Sequence, residues 1–473
     1  MTAHPYAAVF NAAFIIFFSY FVVLTVYYLI LALIGLLETG RRMEESRNED
    51  YPFFYSSSFA IPVSIVIPAH NEEEWIRDCV MSVLNLDYPK FEVIIVDDFS
   101  SDATPKILND MLGLFPVESL YTKHYKDGKV EAILKSSKYP NVKVMRKSAS
   151  SLKKAGTVNA GLNIARYEYV CALDADTILE PDALLKVMAQ VQKDPEHIIG
   201  MGSYFGLSNG IKVRNGRIIE RTFSYQPIVA YQNLEYIRTF IGNRMAWSRF
   251  NAVPVVAGGF AVWRRDMLYD TGGYSAEFTC EDMEITFRAR EYALINKKAN
   301  YKIEMLPYYV GWTEGPSNIK SLISQRERWQ RVIDETITKY AHMICNPKYG
   351  AFAFFTLPYF VLYEVAGVFF EMISIGFLIW GSIMGMFSIK VFLAFLALML
   401  LSQCLVSILS IFVFIRTQRI FRVRYVAYLL FLSMVEFFWY RWLLSLAKIV
   451  GTYKFFRGAR AFDRYQREKR TAS

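Results

Sequence analysis

Three acidic clusters hold most of the chemistry this sequence could perform. Asp97-Asp98 follows the apolar run Val93–Val96, Asp174-Ala175-Asp176 follows Tyr169–Leu173, and Glu281-Asp282 opens a helix-like stretch over Met283–Tyr292. Carboxylates gathered at one edge repel each other. A divalent cation with a nucleotide diphosphate would relieve that repulsion, because Mg²⁺ or Mn²⁺ takes oxygens from one or two carboxylates plus phosphates. Group transfer at such a site needs a base for the incoming hydroxyl and an electrophile for the departing diphosphate, and a carboxylate and a metal supply both. Further on, Gln325-Arg326-Glu327-Arg328-Trp329 runs into Gln330-Arg331. Arg328 suits a phosphate and Trp329 offers a flat face to a sugar ring. Gly258-Gly259 would let backbone pass close to such a ring. Each signal has a plainer reading. Asp-x-Asp fits a turn after a strand, Asp282 a helix cap, the glycine pair an ordinary turn, and Arg with Trp a helix at the lipid headgroups.

The elements that must position these residues alternate. Ser64–Ile67, Val93–Val96, Val142–Met145 and Tyr169–Leu173 read as strands. Helical patterns cover Glu72–Leu86, Thr104–Leu114 and Val158–Ala165, with another beginning at Pro181. Such alternation predicts a mainly parallel α/β sheet covered by helices, with ligands outside the carboxyl ends of the strands. That edge is where the acidic clusters fall.

The ends of the chain are of another kind. Apolar residues make up 53% of 473, and they concentrate before Leu37 and after Ala351. Ala12–Leu36 is uncharged and long enough to cross a bilayer core of about 30 Å. It is too long for a signal peptide, has no basic start, and meets Glu38 and Arg41-Arg42 without a cleavage pattern. Ala351–Phe387 holds a span plus an interfacial helix, and Val391–Ile415 and Val426–Ala447 read as further spans, three in all and four at most. Arg41-Arg42 after the first span predicts a cytoplasmic middle domain. The cluster Arg416, Arg419, Arg422, Arg424 and the basic tail Lys454–Arg470 both want that side too. One complete span between them forbids it, so either a cluster is misplaced or the last segment turns back. Because basic residues sit at membrane edges, the net charge of +9 does not call for nucleic acid. Glu364, Glu371, Glu436, Tyr440 and Arg441 lie within the apolar stretches and face either a polar path or one another, as a Glu436–Arg441 contact would. The five cysteines are scattered, which argues against a zinc site or disulfide framework and for a reducing compartment.

The ordered set Pro68-Ala69-His70-Asn71-Glu72, Val96-Asp97-Asp98, Lys154-Ala155-Gly156, Asp174-Ala175-Asp176, Glu281-Asp282 and Gln325-Arg326-Glu327-Arg328-Trp329 resembles the inverting family 2 glycosyltransferases. It is most similar to their membrane-embedded branch of cellulose, chitin, hyaluronan and poly-N-acetylglucosamine synthases, over about Ile61–Arg331. The resemblance implies a GT-A domain, Rossmann-like with a mainly parallel sheet, plus helical transmembrane segments. Residues 1–43 would be the first span, 44–346 the cytoplasmic catalytic domain with its interfacial helix, 347–450 the membrane region and 451–473 a basic tail. It implies donor contacts from Glu72, Asp97, Asp98, Lys154, Asp174, Gln325, Arg328 and Trp329, with Asp98 at the uracil end and Lys154 on the phosphates. Asp176 and Asp174 would hold Mg²⁺ or Mn²⁺. Asp282 would be the catalytic base beside Glu281, and Trp329, Cys280 and Gly259 would face the acceptor. Cys280 stands where many relatives carry Thr, and nothing in the sequence makes it a nucleophile. The implied activity is sugar transfer from a UDP-sugar with inversion, processively into an exported β-linked polysaccharide. Transfer of one sugar to a lipid acceptor, a polyprenyl phosphate or diacylglycerol, is the alternative. The implied setting is an integral, multi-pass plasma (inner) membrane protein, with room for accessory export or activator proteins. A transporter carrying a degenerate transferase domain is disfavoured because every expected acidic position is filled.

Overall fold

The apolar runs build one mixed sheet in the computed structural model, which describes residues 7–56, 58–118, 121–149, 153–296, 300–386, 389–418 and 422–458. The strands are β1 (Val63–Ala69), β2 (Phe91–Asp97), β3 (Leu114–Pro116), β4 (Val130–Ser136), β5 (Val142–Lys147), β6 (Tyr169–Leu173), β7 (Ile178–Leu179), β8 (Ile198–Leu207), β9 (Ile211–Arg214), β10 (Arg217–Arg221), β11 (Phe260–Arg264) and β12 (Lys302–Thr313). Ten of them line up in the order β3-β4-β5-β2-β1-β6-β11-β8-β12-β7, and β9 with β10 forms a separate hairpin. The centre, β5-β2-β1-β6, is parallel, with Ile65 between Val93 and Cys171. β11 enters antiparallel between β6 and β8. Side chains alternate across this centre. Ile65, Ile67, Val93 and Ile95 face the helices Ile76–Leu84, Thr104–Leu112 and Ala183–Lys193, while Val66, Ile94 and Val96 face the helix Lys153–Ile164. Burial on both faces is why these strands read as unbroken apolar runs.

Three helix starts differ from expectation. The helix expected from Glu72 begins at Ile76, because the preceding residues bond sideways to the loop after β2. The Glu72 N–H donates to Thr104 Oγ1 (2.8 Å) and the Glu73 N–H to Asp102 Oδ2 (3.1 Å), with Asn71 at φ 56° making the turn. The helix expected from Val158 begins at Lys153, which draws Lys154 into its first turn. The helix expected from Pro181 begins at Ala183, and the Pro181 carbonyl accepts from the Asp87 N–H (2.8 Å).

The first helix, Ala7–Arg47, has 41 residues and is about 60 Å long, twice the hydrocarbon thickness. Its polar end is fastened to the sheet. Arg42 pairs with Glu304 of β12 (2.6 Å), and the Arg42 carbonyl accepts from the Tyr308 hydroxyl (2.8 Å). Among the described residues two helices, Phe10–Arg47 and Leu393–Ile415, are long and apolar enough to cross a membrane. The number rises to four if each bent pair is one span: Phe352–Val365 with Gly367–Ile383 at 48°, and Val423–Phe438 with Tyr440–Phe456 at 56°.

The uninterrupted span expected over Val426–Ala447 is therefore broken near Trp439, and both ends of that pair lie against the middle domain. Tyr425 stacks on Phe223 at one end (ring centroids 4.7 Å apart). At the other, Thr452 donates to Asp334 (2.8 Å) and Lys454 pairs with Glu327 (2.7 Å). A pair bent in this way is either a broken span or a segment that turns back, and only the second would bring Arg422 and Lys454 to one side. Residues 459–473 of the basic tail and Arg419 lie outside the described residues.

Gly161 sets how closely the helix Lys153–Ile164 approaches the sheet, since a Cβ there would fall 2.4 Å from Val66 Cγ1. Gly161→Leu is expected to destabilise the chain by about 1–3 kcal/mol through overpacking. Gly376→Ala, in a membrane helix with nothing within 4 Å of the added carbon, is expected to leave stability equal or higher. Thermal melts of the detergent-solubilised proteins check both.

Candidate active site

The carboxyl ends of β2 and β6 open into one cavity of about 1360 Å³. Asp174 and Asp176 occupy the turn between β6 and β7, where the Thr177 N–H donates to the Asp174 carbonyl (3.0 Å). Opposite them the helix Glu281–Ile295 starts at the cavity wall. Lys154, on the first turn of its helix, places Nζ 2.6 Å from Asp174 Oδ1 and 2.8 Å from Glu281 Oε1. One cation thus joins two of the three acidic clusters. Asp282 accepts from the Gly258 N–H at Oδ2 (3.3 Å) and from the Met283 N–H at Oδ1 (2.8 Å). Gly258 and Gly259 run between these groups. A Cβ on Gly258 would lie 3.2 Å from Lys154 Nζ, and one on Gly259 3.7 Å from Asp174 Oδ2. The glycine pair is therefore part of the site's wall, a stronger position than its turn-like sequence suggests.

Electrostatics divides the carboxylates. Burial, with Asp176 adding to it and Lys154 opposing it, raises the Asp174 pKa to about 6. Burial also pushes Glu281 up, but the Lys154 ammonium more than offsets this and holds its carboxyl below the usual range. Asp282 is raised by burial and by the Glu281 charge, the direction that suits a group taking up a proton. Burial pushes the Cys280 thiol up to about 12, so it stays protonated at neutral pH.

Glu72, Asp98, Lys154, Asp174, Asp176, Gly259, Cys280, Glu281, Asp282, Gln325, Arg328 and Trp329 all line this cavity. Asp97, expected at the donor, does not. It is 2% exposed, accepts from the Ser100 N–H (3.1 Å), and lies 3.8 Å from Arg146, so it braces the loop after β2. Trp329 packs with Tyr236 (centroids 6.4 Å apart) beneath the Arg326 guanidinium (4.1 Å from the ring), and Arg326 pairs with Glu235 (2.7 Å). Arg244 was not among the expected residues. It lines the cavity near Asp282, and burial lowers its pKa to about 10. It lies in the π-helical stretch Ile237–Arg244, a mixed polar and apolar segment, and belongs to no recognisable motif, so nothing in the sequence singled it out.

The cavity continues among the membrane helices to Tyr20, Glu371 and Gln403. In place of a Glu436–Arg441 contact, one of the two readings open from sequence, the charges pair between different elements: Arg238–Glu436 (2.8 Å), Lys448–Glu364 (2.7 Å), and Arg441 with Glu371. Arg441 also donates to Gln403 (3.0 Å).

A GT-A-like sheet with its carboxylates at the strand ends, set among apolar helices, defines a membrane-associated glycosyltransferase. The family model Glycosyl transferase family group 2 matches residues 169–450, and Glycosyl transferase family 2 matches residues 64–272; the chain belongs to the family 2 glycosyltransferases. It is 27% identical over 267 residues to a poly-beta-1,6-N-acetyl-D-glucosamine synthase of Staphylococcus epidermidis, covering 56% of this chain and 53% of that protein. The chain thus spans about half the length of that curated relative. It is 26% identical over 363 residues to the probable glycosyltransferase YdaM of Bacillus subtilis, covering 72% of this chain and 76% of that one. Among solved structures, a mannosyltransferase from Pyrobaculum calidifontis in complex with GDP-Man and Mn²⁺ shares the fold, with TM-score 0.56 and 16% identity over 94% of this chain and 99% of that one.

Because Lys154 serves two carboxylates, the effects of Lys154→Met and Glu281→Gln on stability should be non-additive. A double-mutant cycle in denaturant is expected to give a coupling of about 0.5–3 kcal/mol, and strict additivity would dissolve the bridge.

Proposed function

We propose that this glycosyltransferase moves a sugar from a UDP-sugar with inversion and extends a β-linked polysaccharide processively, at the cytoplasmic face of the plasma membrane. The observation that carries the reading is the continuity of one cavity from Asp282 to Glu371 and Gln403 between the membrane helices. A growing chain held at Trp329 has a polar route onward. The name of the Staphylococcus epidermidis relative supports a polymer product and an N-acetylglucosamine donor.

In this reading Asp282 takes the proton from the acceptor hydroxyl as that oxygen attacks the anomeric carbon, and the bond from that carbon to the diphosphate breaks with its electron pair leaving on UDP. Arg328 and Lys154 face the leaving charge, and Trp329 holds the acceptor ring. Asp174 and Asp176 form a two-carboxylate set suited to Mg²⁺ or Mn²⁺, with phosphate and water completing the shell; no group of three or more His, Cys, Asp or Glu that could hold a metal occurs among the described residues. The metal, when bound, would neutralise diphosphate charge. Asp98 would meet the base, and Glu72 and Gln325 the rest of the donor. Residues 1–43 would be the first span, 44–346 the catalytic domain and 347–450 the membrane region, with three crossings and a final pair that returns to the cytoplasmic side.

Sizing the products formed from individual labelled UDP-sugars in nanodiscs, with and without Mn²⁺ or Mg²⁺, tests the proposal. Long, metal-dependent polymer from one donor is expected, whereas a short lipid-extractable product would show single transfer to a lipid. Asp176→Asn and Asp282→Asn are each expected to abolish transfer while membrane insertion persists, and Trp329→Ala to lose chain extension more than donor hydrolysis. The acid limb of kcat/KM should lie above the ordinary Asp pKa of about 3.9, because the raised Asp282 loses its base form as pH falls through the higher value. Glu281→Gln removes a neighbouring charge and should move that limb to lower pH.

A further inference from the structure

Glu335 stands two turns beyond Arg328 on the helix Ile319–Lys339 and belongs to none of the motifs read from sequence. Both of its carboxylate oxygens hold one residue just ahead of Glu281-Asp282. Oε2 accepts from the Thr279 N–H (2.7 Å) and Oε1 from the Thr279 hydroxyl (2.6 Å). We propose that Glu335 is a positioning residue for sugar transfer, which through Thr279 sets where the Cys280–Asp282 turn stands relative to Arg328 and Trp329. The inference rests on the reading of Asp282 as the base.

The cap of the helix Glu281–Ile295 does not itself fix the turn. Ser, Thr, Asp or Asn at that position would bond a free N–H of the first turn, but Cys280 stands there and its side chain makes no such bond. Thr279 is buried, and two bonds to a charged acceptor are stronger than one neutral cap. Residues seven apart share a helix face. The face that presents Glu335 to Thr279 therefore presents Arg328, about 10 Å back along the axis, to Cys280 and Glu281, where its charge is felt. One rigid face carries both the cation at the site and the carboxylate that holds the turn.

This contact is separable from the fold. Met283, Phe287, Val332, Ile337 and Tyr340 belong to one buried apolar cluster that spans the two helices, and the Tyr340 hydroxyl donates to Glu284 (2.8 Å). These hold the helices together without the Glu335 carboxylate, while the turn ahead of Asp282 loses its tether. A displacement of about 1 Å at a reacting group costs up to about a hundredfold in rate, so the loss belongs in kcat rather than in donor binding.

One arm of the test is steady-state kinetics of the full chain in nanodiscs with labelled UDP-N-acetylglucosamine and Mn²⁺, with kcat referred to sites counted by calorimetric titration with UDP. Glu335→Met is expected to lower kcat about ten- to a hundredfold while UDP affinity and donor KM stay within about threefold of wild type. The second arm needs no turnover. In a Cys345→Ser background, which removes the exposed thiol, maleimide labelling of Cys280 is followed by peptide mass. It should be severalfold faster in Glu335→Met, because a loosened turn exposes a thiol that burial keeps protonated. Glu335→Gln should restore both readouts, since its amide oxygen can accept from the Thr279 N–H and its NH₂ can donate to the Thr279 hydroxyl oxygen. Should Glu335→Met fail to fold, Thr279→Val, which deletes the hydroxyl bond alone, should lower kcat severalfold. A wild-type kcat in the folded variant, or unchanged Cys280 labelling in Glu335→Met, overturns the inference and leaves the reading of Asp282 in place. Full turnover by Asp282→Asn, or none by the wild type, overturns the base or the donor reading, and this inference with it.

Discussion

The arrangement turns on the Lys154 ammonium held between Asp174 and Glu281. The sheet delivers carboxylates to one edge, and in a cavity partly closed to water their repulsion is weakly screened. A cation fixed on the first turn of a helix that packs directly on β1 and β2 lets the Asp174 and Glu281 ends of the site approach each other. Everything that sets the depth of that helix, Gly161 against Val66 above all, also sets where the cation sits.

The same cation separates the roles of two adjacent acids. Glu281 is spent on Lys154 and stays ionised, while Asp282, receiving backbone N–H groups from Gly258 and Met283, is raised toward proton uptake by its neighbour's charge. A helix start supplies this geometry at little cost, since carboxylates are favoured there in any case. The cap reading of Asp282 and the functional one thus describe the same placement.

What could be read from sequence followed burial symmetry. β6 appears at Tyr169–Leu173 as expected because a strand buried on both faces leaves an unbroken apolar signature. Elements decided by distant partners were less legible. Glu72–Trp75 leaves the helical path for bonds to Thr104 and Asp102, about thirty residues on, which no local pattern announces. Asp97 and Asp98 look equivalent in the chain, yet strand alternation sends one to the loop after β2 and the other to the cavity. The conflict between the two basic clusters asked for either a misplaced cluster or a segment that turns back, and the site of the bend at Trp439 could not be placed from hydropathy. Arg244 belongs to no motif, and its relation to Asp282 exists only once the π-helical stretch Ile237–Arg244 has been folded against the first helix and the membrane helix Leu393–Ile415.

The membrane part and the transfer site are not separable modules. The helix Ile319–Lys339 carries Gln325, Arg328 and Trp329 on one side, and the last helix, Tyr440–Phe456, packs along it. Lys454 pairs with Glu327, Thr452 donates to Asp334, and Gln330 donates to the Glu364 carbonyl (3.1 Å) at the end of a π-helical turn. Gly451 lets the last helix approach so closely that a Cβ there would lie 2.6 Å from the Glu327 carbonyl oxygen. A displacement of the returning segment would therefore carry Trp329 and Arg328 with it. Two packed helices with no slack between them transmit such a shift rather than absorb it, because protein interiors are close-packed. The bend at Trp439 thus has a structural purpose in the transfer site itself: by returning the chain to the catalytic domain, it supplies the surface on which the Gln325–Trp329 helix is seated.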